Sequence, residues 1–248
     1  MEYKAFKEEE VPYGVLSQFG LTQEMIEDLP MSVLESIHEG RLSPVLPIEM
    51  KDDKGDIVKS RSRFKLSRME DGNVNVLFYP QFKSCDLNQY DDKQQEALLS
   101  GGAIVAASPE DKDVKCFVQI DPETNHVMYV PTPVIGRNLS TLMDSFDIVT
   151  KDIIRIQNGE PVTFNEGDEL ITVGIDLNDR TGVRIETGDV ERWRKSQDTA
   201  LERYNFGLWG CWIKDDEGRL THVFEEDYTD DILAEQQKVI ERNSGMRR

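Results

Sequence analysis

The sequence predicts an α+β protein: three consecutive helix-plus-antiparallel-meander units, then a C-terminal aromatic hairpin with a helix. Three observations lead there. A short helical stretch ending in glycine runs straight into strand-like apolar residues three times, and the markers Gly40, Gly101 and Gly159 are 61 and 58 residues apart. Each copy continues into two more strand-like runs joined by a polar turn. One helix with about three strands also buries too little apolar surface to stand alone, so neighbouring units are expected to pack together.

In chain order, residues 1–20 form a leading segment whose Val11, Tyr13, Val15, Leu16 and Phe19 are expected to dock on the first unit. Thr22 is the predicted N-cap of a helix carrying Met25, Ile26 and Leu29 on one side. Pro30 breaks it or begins a second helix, since proline suits a first helical position and no interior one. Leu34 and Ile37 share a face, and Gly40 supplies the left-handed stop.

Val45–Ile48 opens the first set of strands. Phe64 and Leu66 alternate with Lys65 and Ser67, and a turn over Met69–Asn73 returns the chain through Val74–Tyr79. Its Asp71-Gly72 pair is a strong hairpin signal, because glycine takes the positive φ that such turns need. In the second unit, Asp91 with Gln94 three residues on reads as a capping box. Gly101-Gly102 follows, then Ala103–Ala106, Cys116–Ile120, a turn at Asp121–Asn125, and Val127–Pro131. Pro80 and Pro131 end the closing strands by removing a ladder donor.

Pro131–Leu139 is predicted to be a stiff connector, followed by a helix over Leu139–Phe146. The third unit has a helix over Thr150–Asn158, then Pro161–Phe164, Leu170–Ile175, a turn at Asn178–Gly182 and Val183–Ile185. Residues 190–204 are predicted helical. They lead to one aromatic strand, Tyr204–Ile213, a turn at Asp215–Gly218 and Leu220–Phe224. A polar helix starts near Thr229, and its last residues are expected to be disordered. The expected domains are therefore residues 1–85 (N-terminal helices and first unit), 86–140 (second unit), 141–190 (third unit) and 191–248 (helix, aromatic hairpin and acidic tail helix).

At 248 residues with 38% hydrophobic content, the chain can bury a sizeable core. No apolar stretch nears the roughly 20 residues that cross a bilayer, and Met1-Glu2-Tyr3-Lys4 has no signal-peptide pattern. Cys85, Cys116 and Cys211 are few, odd in number and set in or beside apolar runs, which predicts a reduced, cytoplasmic protein. The net charge of −19 opposes direct binding to nucleic acid or to an anionic membrane, both of which require phosphate neutralisation by Lys and Arg. The acidic clusters read as a solvated surface or, more sharply, as an imitation of DNA phosphates.

Catalytic signals are missing. His38 lies in the last turn of a helix, His126 and His222 flank hairpin turns, and no HExxH or CxxC spacing exists. Cys211 between aromatics reads as a core thiol rather than a nucleophile. GxSxG and GxxxxGK[ST] are absent, and Asp176–Asp179 lacks the glycine and closing glutamate of a calcium loop. No catalytic, metal or cofactor-binding residue is therefore assigned, and no cofactor is expected.

Two stretches stand out for contact. Pro133, Ile135, Gly136, Arg137 and Asn138 form the connector, read either as a displayed segment or as a rigid linker. Phe206, Trp209 and Trp212 are large rings among Gly207 and Gly210, read either as core or as partner-facing anchors.

The segments Phe19–Thr22, Leu42–Ile48, Val76–Pro80, Val130–Leu139, Gln157–Pro161 and Val173–Asn178 together resemble a family of domains of unknown function. These domains are frequent in conjugative and other mobile elements of anaerobic gut bacteria. The resemblance covers almost the whole chain, with the connector its most specific part. The Asp91–Pro131 unit is similar to smaller repeat domains found beside or fused to type I topoisomerases. The resemblance implies a role near DNA processing or transfer and carries over no catalytic residue.

The expectation is a non-enzymatic protein–protein interaction or accessory module of a mobile element. Its partner would be a protein, of which a basic DNA-processing or defence protein is the candidate kind, with no direct nucleic-acid or membrane binding. The alternative is an acidic DNA-mimic inhibitor of a host nuclease or restriction or defence protein.

Overall fold

A computed structural model describes residues 5–51, 53–143, 145–146, 148–179, 181–195 and 201–245. Parts of the expected stretches at 139–146, 178–182 and 190–204, and the chain end at 246–248, lie outside these residues.

In chain order, a 3₁₀ turn at Glu8–Glu10 leads into α1 (Tyr13–Gln18), α2 (Gln23–Glu27) and α3 (Met31–His38), then β1 (Leu46–Lys51), β2 (Ile57–Arg68) and β3 (Val74–Pro80). Next come α4 (Asp92–Leu99), β4 (Ile104–Ala107), β5 (Lys115–Ile120) and β6 (Val127–Pro131). Helices α5 (Thr132–Met143) and α6 (Thr150–Gln157) precede β7 (Val162–Glu166), β8 (Glu169–Ile175) and β9 (Val183–Thr187). The chain closes with α7 (Val190–Lys195), β10 (Tyr204–Phe206), β11 (Gly210–Lys214), β12 (Leu220–Phe224) and α8 (Asp230–Gly245). The protein is thus α+β, and the described residues form four three-stranded antiparallel sheets ordered β1-β2-β3, β4-β5-β6, β7-β8-β9 and β10-β11-β12.

Local chemistry accounts for the element ends. Thr22 accepts from the Met25 N–H at 3.3 Å, and Asp91 and Gln94 close a reciprocal capping box, so the first N–H groups of α2 and α4 have partners. Gly40, Gly101 and Gly159 end α3, α4 and α6 at φ of 79, 78 and 91°.

The leading segment docks on the first unit as expected: Val11 and Leu16 are buried in its core, Tyr13, Val15 and Phe19 pack against it, and Tyr13–Gln18 is helical. Three readings need correction. The connector is the first half of α5. Pro131 and Pro133 flank Thr132 at the start of the helix, where the proline φ fits and no donor is lost, and Ile135 and Leu139, four apart, are both buried. The aromatic stretch is two strands, because the chain reverses at Gly207–Trp209 and pairs Phe206 with Cys211. The C-terminal hairpin is thereby a three-stranded meander. Of residues 190–204, those at 190–195 are helical and Tyr204 already belongs to β10.

The chain forms two compact units, residues 1–80 with 200–248, and residues 81–199. In the first, Trp212 and Leu220 from the C-terminal meander share one core with Leu16, Leu21, Ile26, Leu29, Ile37, Leu46 and Phe64. The Arg61 guanidinium reinforces that union by donating to the carbonyls of Val45 and Leu220. In the second, β5 is buried on both faces. Cys116, Val118 and Ile120 pack with Leu98, while Phe117 packs with Ile135, Leu139, Ile156 and Val173. Gln119 joins the two halves of that unit, donating to Gly101 O and accepting from Leu177 N at 2.7 Å.

Candidate interaction site

The polar centre of the first unit is Asp28, at the C-terminal cap of α2, whose side chain is wholly buried. Its Oδ1 accepts the N–H groups of Leu208 (2.7 Å) and Trp209 (2.9 Å), and its Oδ2 lies 2.8 Å from Nε2 of His222. A carboxylate only accepts, so Nε2 carries the proton. The other ring nitrogen, Nδ1, is buried and has no hydrogen-bond partner among the described residues. Trp212 and Phe224 hold the imidazole edge-on, with centroids at 5.2 and 4.7 Å. His222 therefore sits inside a strand facing Asp28, not beside a turn, because Trp212 and His222 are register partners of β11 and β12.

Two glycines make the approach possible. A Cβ on Gly207 would fall within contact distance of the Asp28 carboxylate, and one on Gly210 would meet Val223 O and lie 2.6 Å from the His222 ring. The reversal is closed by Gly207 N–H to Gly210 O at 2.8 Å, and Glu225 N–H donates to Trp209 O at 3.0 Å. Both peptide groups of Trp209 are thus satisfied, and the backbone of this two-residue tip is fixed by buried groups.

Its side chains face outward. Leu208 is 77% and Trp209 46% exposed. With Phe224 they line a groove of about 460 Å³ whose other lining residues are Glu24, Glu225 and Glu226. The Trp209 indole N–H points to Glu27 at 3.4 Å. The α2 backbone N–H at Glu24 and the Thr22 hydroxyl hold the Glu24 carboxyl below its ordinary range, so it stays charged. A second groove, of about 290 Å³, lies between Tyr204 and α8. Its Glu202, Arg203, Glu235 and Arg242 supply both signs, so it neutralises itself.

The residues singled out from sequence fall in different settings. Trp209 is at the tip. Trp212 is fully buried with its indole N–H on Met25 O at 2.7 Å, so it is core and not a displayed anchor. Phe206 is half-buried, stacked on Tyr204 and edge-on to Tyr228. In the second unit, Ile135 is core, Asn138 donates to Thr181 O at 2.6 Å, Gly136 is half-buried, and Pro133 and Arg137 are exposed on α5. Burial removes Ile135 and Trp212 from any contact surface. Sequence reading missed Asp28, Leu208 and the groove glutamates. One signal was present: an aspartate at a helix C-terminus opposes the dipole and needs some other reason to be there.

Burial pushes the Cys211 thiol up to about 11, which suppresses its nucleophilicity. Among the described residues no group of His, Cys, Asp and Glu side chains is arranged to hold a metal ion, and no helix is long and apolar enough to cross a membrane.

Residues 6–90 match the model of a family described as "Protein of unknown function (DUF4099)", about a third of the chain. The match includes Asp28 and Glu24 and stops short of the Leu208–Trp209 tip. Neither a curated protein nor a solved structure matches the chain.

Proposed function

We propose that this chain is a non-enzymatic protein–protein interaction module of the cytoplasm, accessory to DNA processing or transfer by a mobile genetic element. One observation carries the interaction reading: a leucine and a tryptophan are displayed on a tip whose backbone is locked by a buried carboxylate. Large apolar side chains on a fixed backbone lose little entropy on binding, and tryptophan is enriched among residues that dominate interfaces. The mobile-element setting draws its support from the resemblance of the sequence segments alone.

A DNA-mimic role would draw on charge. That charge is shared almost evenly, with 26 acidic and 17 basic residues in the first unit against 22 and 12 in the second. Neither unit concentrates it, so the tip is the better guide.

The test places a photo-crosslinking amino acid at Leu208 and, in a separate protein, at Leu99, which is 70% exposed in the second unit. The reading expects a discrete protein adduct from position 208 in producing cells and none from position 99. Equal labelling from both positions, or none from 208, contradicts it.

A further inference from the structure

The groove beside the tip has a one-sided chemistry. Its walls are Leu208, Trp209 and Phe224, and its remaining lining residues are Glu24, Glu225 and Glu226. None of these three carboxylates has a cationic partner among the described residues, although other surface acids do, as in Arg68–Glu10, Arg155–Glu160 and Arg219–Asp215. Among the described residues no lysine or arginine lines the groove.

An occupant that covers Trp209 also removes water from those carboxylates. A neutral or acidic segment would leave them desolvated and unpaired, at a cost that opposes binding. A segment bearing lysine or arginine restores their partners. A basic side chain also lays its methylene stem on the indole and meets the ring face with its cation.

We propose that this groove binds a basic protein segment in which an apolar side chain packs on Leu208 and Trp209 while flanking Lys or Arg side chains pair with Glu24, Glu225 and Glu226. This inference rests on the interaction reading above and adds the chemistry of the partner. It differs from a general attraction between an acidic protein and any polycation, because it requires the apolar anchor and the cations together.

The test titrates the full chain, at about 0.15 M salt to screen diffuse attraction, into three fluorescent capped octapeptides: alternating leucine–lysine, serine–lysine and leucine–glutamate. The leucine–lysine peptide is expected to bind at least about tenfold more tightly than either of the others. Trp209→Ala, and separately the pair Glu225→Gln with Glu226→Gln, should each weaken it about fivefold or more. The remote pair Glu166→Gln with Asp168→Asn, on the β7–β8 turn, should leave it unchanged.

Equal binding of serine–lysine, equal binding of leucine–glutamate, or equal loss in the remote pair would each overturn the proposal. Circular dichroism melts of the variants, all substituted at exposed positions, identify any loss of fold. If crosslinking from Leu208 captures a partner while the peptides show no preference for basic sequence, the docking tip stands and the proposed partner chemistry falls.

Discussion

At the residue scale, the feature that organises the first unit is one carboxylate. Asp28 satisfies two peptide N–H groups and an imidazole from segments about 180 residues further along the chain. Asp28→Ala leaves those donors buried and unpaired, which costs about 3–5 kcal/mol. Asp28→Asn keeps a carbonyl for the backbone donors and should cost less, and chemical-denaturation midpoints rank the two. Gly207→Ala pushes a methyl into the same carboxylate and is expected to cost about 1–3 kcal/mol, whereas Gly55→Ala meets open space and, with its positive φ of 85°, costs only the backbone strain. Cysteine alkylation separates the thiols. Cys116 and Cys211 are buried and Cys85 is half-exposed, so native protein at neutral pH should take up one iodoacetamide, at Cys85, with intact-mass spectrometry as the readout.

At the element scale, the sheets were legible in the sequence because alternation, Asp-Gly turns and strand-ending prolines all act within a few residues. Helices that stop on Gly40, Gly101 and Gly159 were legible for the same reason. The Gly159 stop carries an added constraint, since a Cβ there would collide with Ala103 O. Two elements were misread where local cues point one way and packing another. Prolines 131 and 133 suggest a connector, yet Ile135 and Leu139 gain burial against Phe117 and Val183 only if the backbone coils. Ile135→Ala should therefore cost about 2–5 kcal/mol, and Pro133→Ala should stay within about 0.5 kcal/mol, measured by urea unfolding. The run Tyr204–Ile213 reads as one long strand, and the reversal at Gly207–Trp209 follows from Asp28, which no window of ten residues contains. The tip was therefore half legible: Trp209 stood out by its ring, while the carboxylate that fixes it did not.

At the scale of the whole molecule, the chain returns on itself. Residues 200–248 complete a core begun by residues 1–80. This closure has an alkaline signature. Burial raises the Cys211 thiol from an ordinary value of about 9 to about 11 and the Tyr228 phenol from about 10 to about 12. Both groups hold their protons more tightly when folded, so their contribution is complete below the unfolded values and is lost as pH rises through the folded ones. Stability in urea should be flat from pH 7 to about 9 and fall from there to about 12, and Cys211→Ala should flatten the earlier part of the fall. The same closure makes the Leu208–Trp209 tip rigid, and on that rigidity the interaction reading depends. Amide hydrogen exchange at these two residues measures it directly. Slow exchange of the Leu208 and Trp209 amides, comparable with β11 and released in Asp28→Ala protein that still holds its other sheets, is the predicted result. Exchange at the rate of an open loop in the unaltered protein would contradict it.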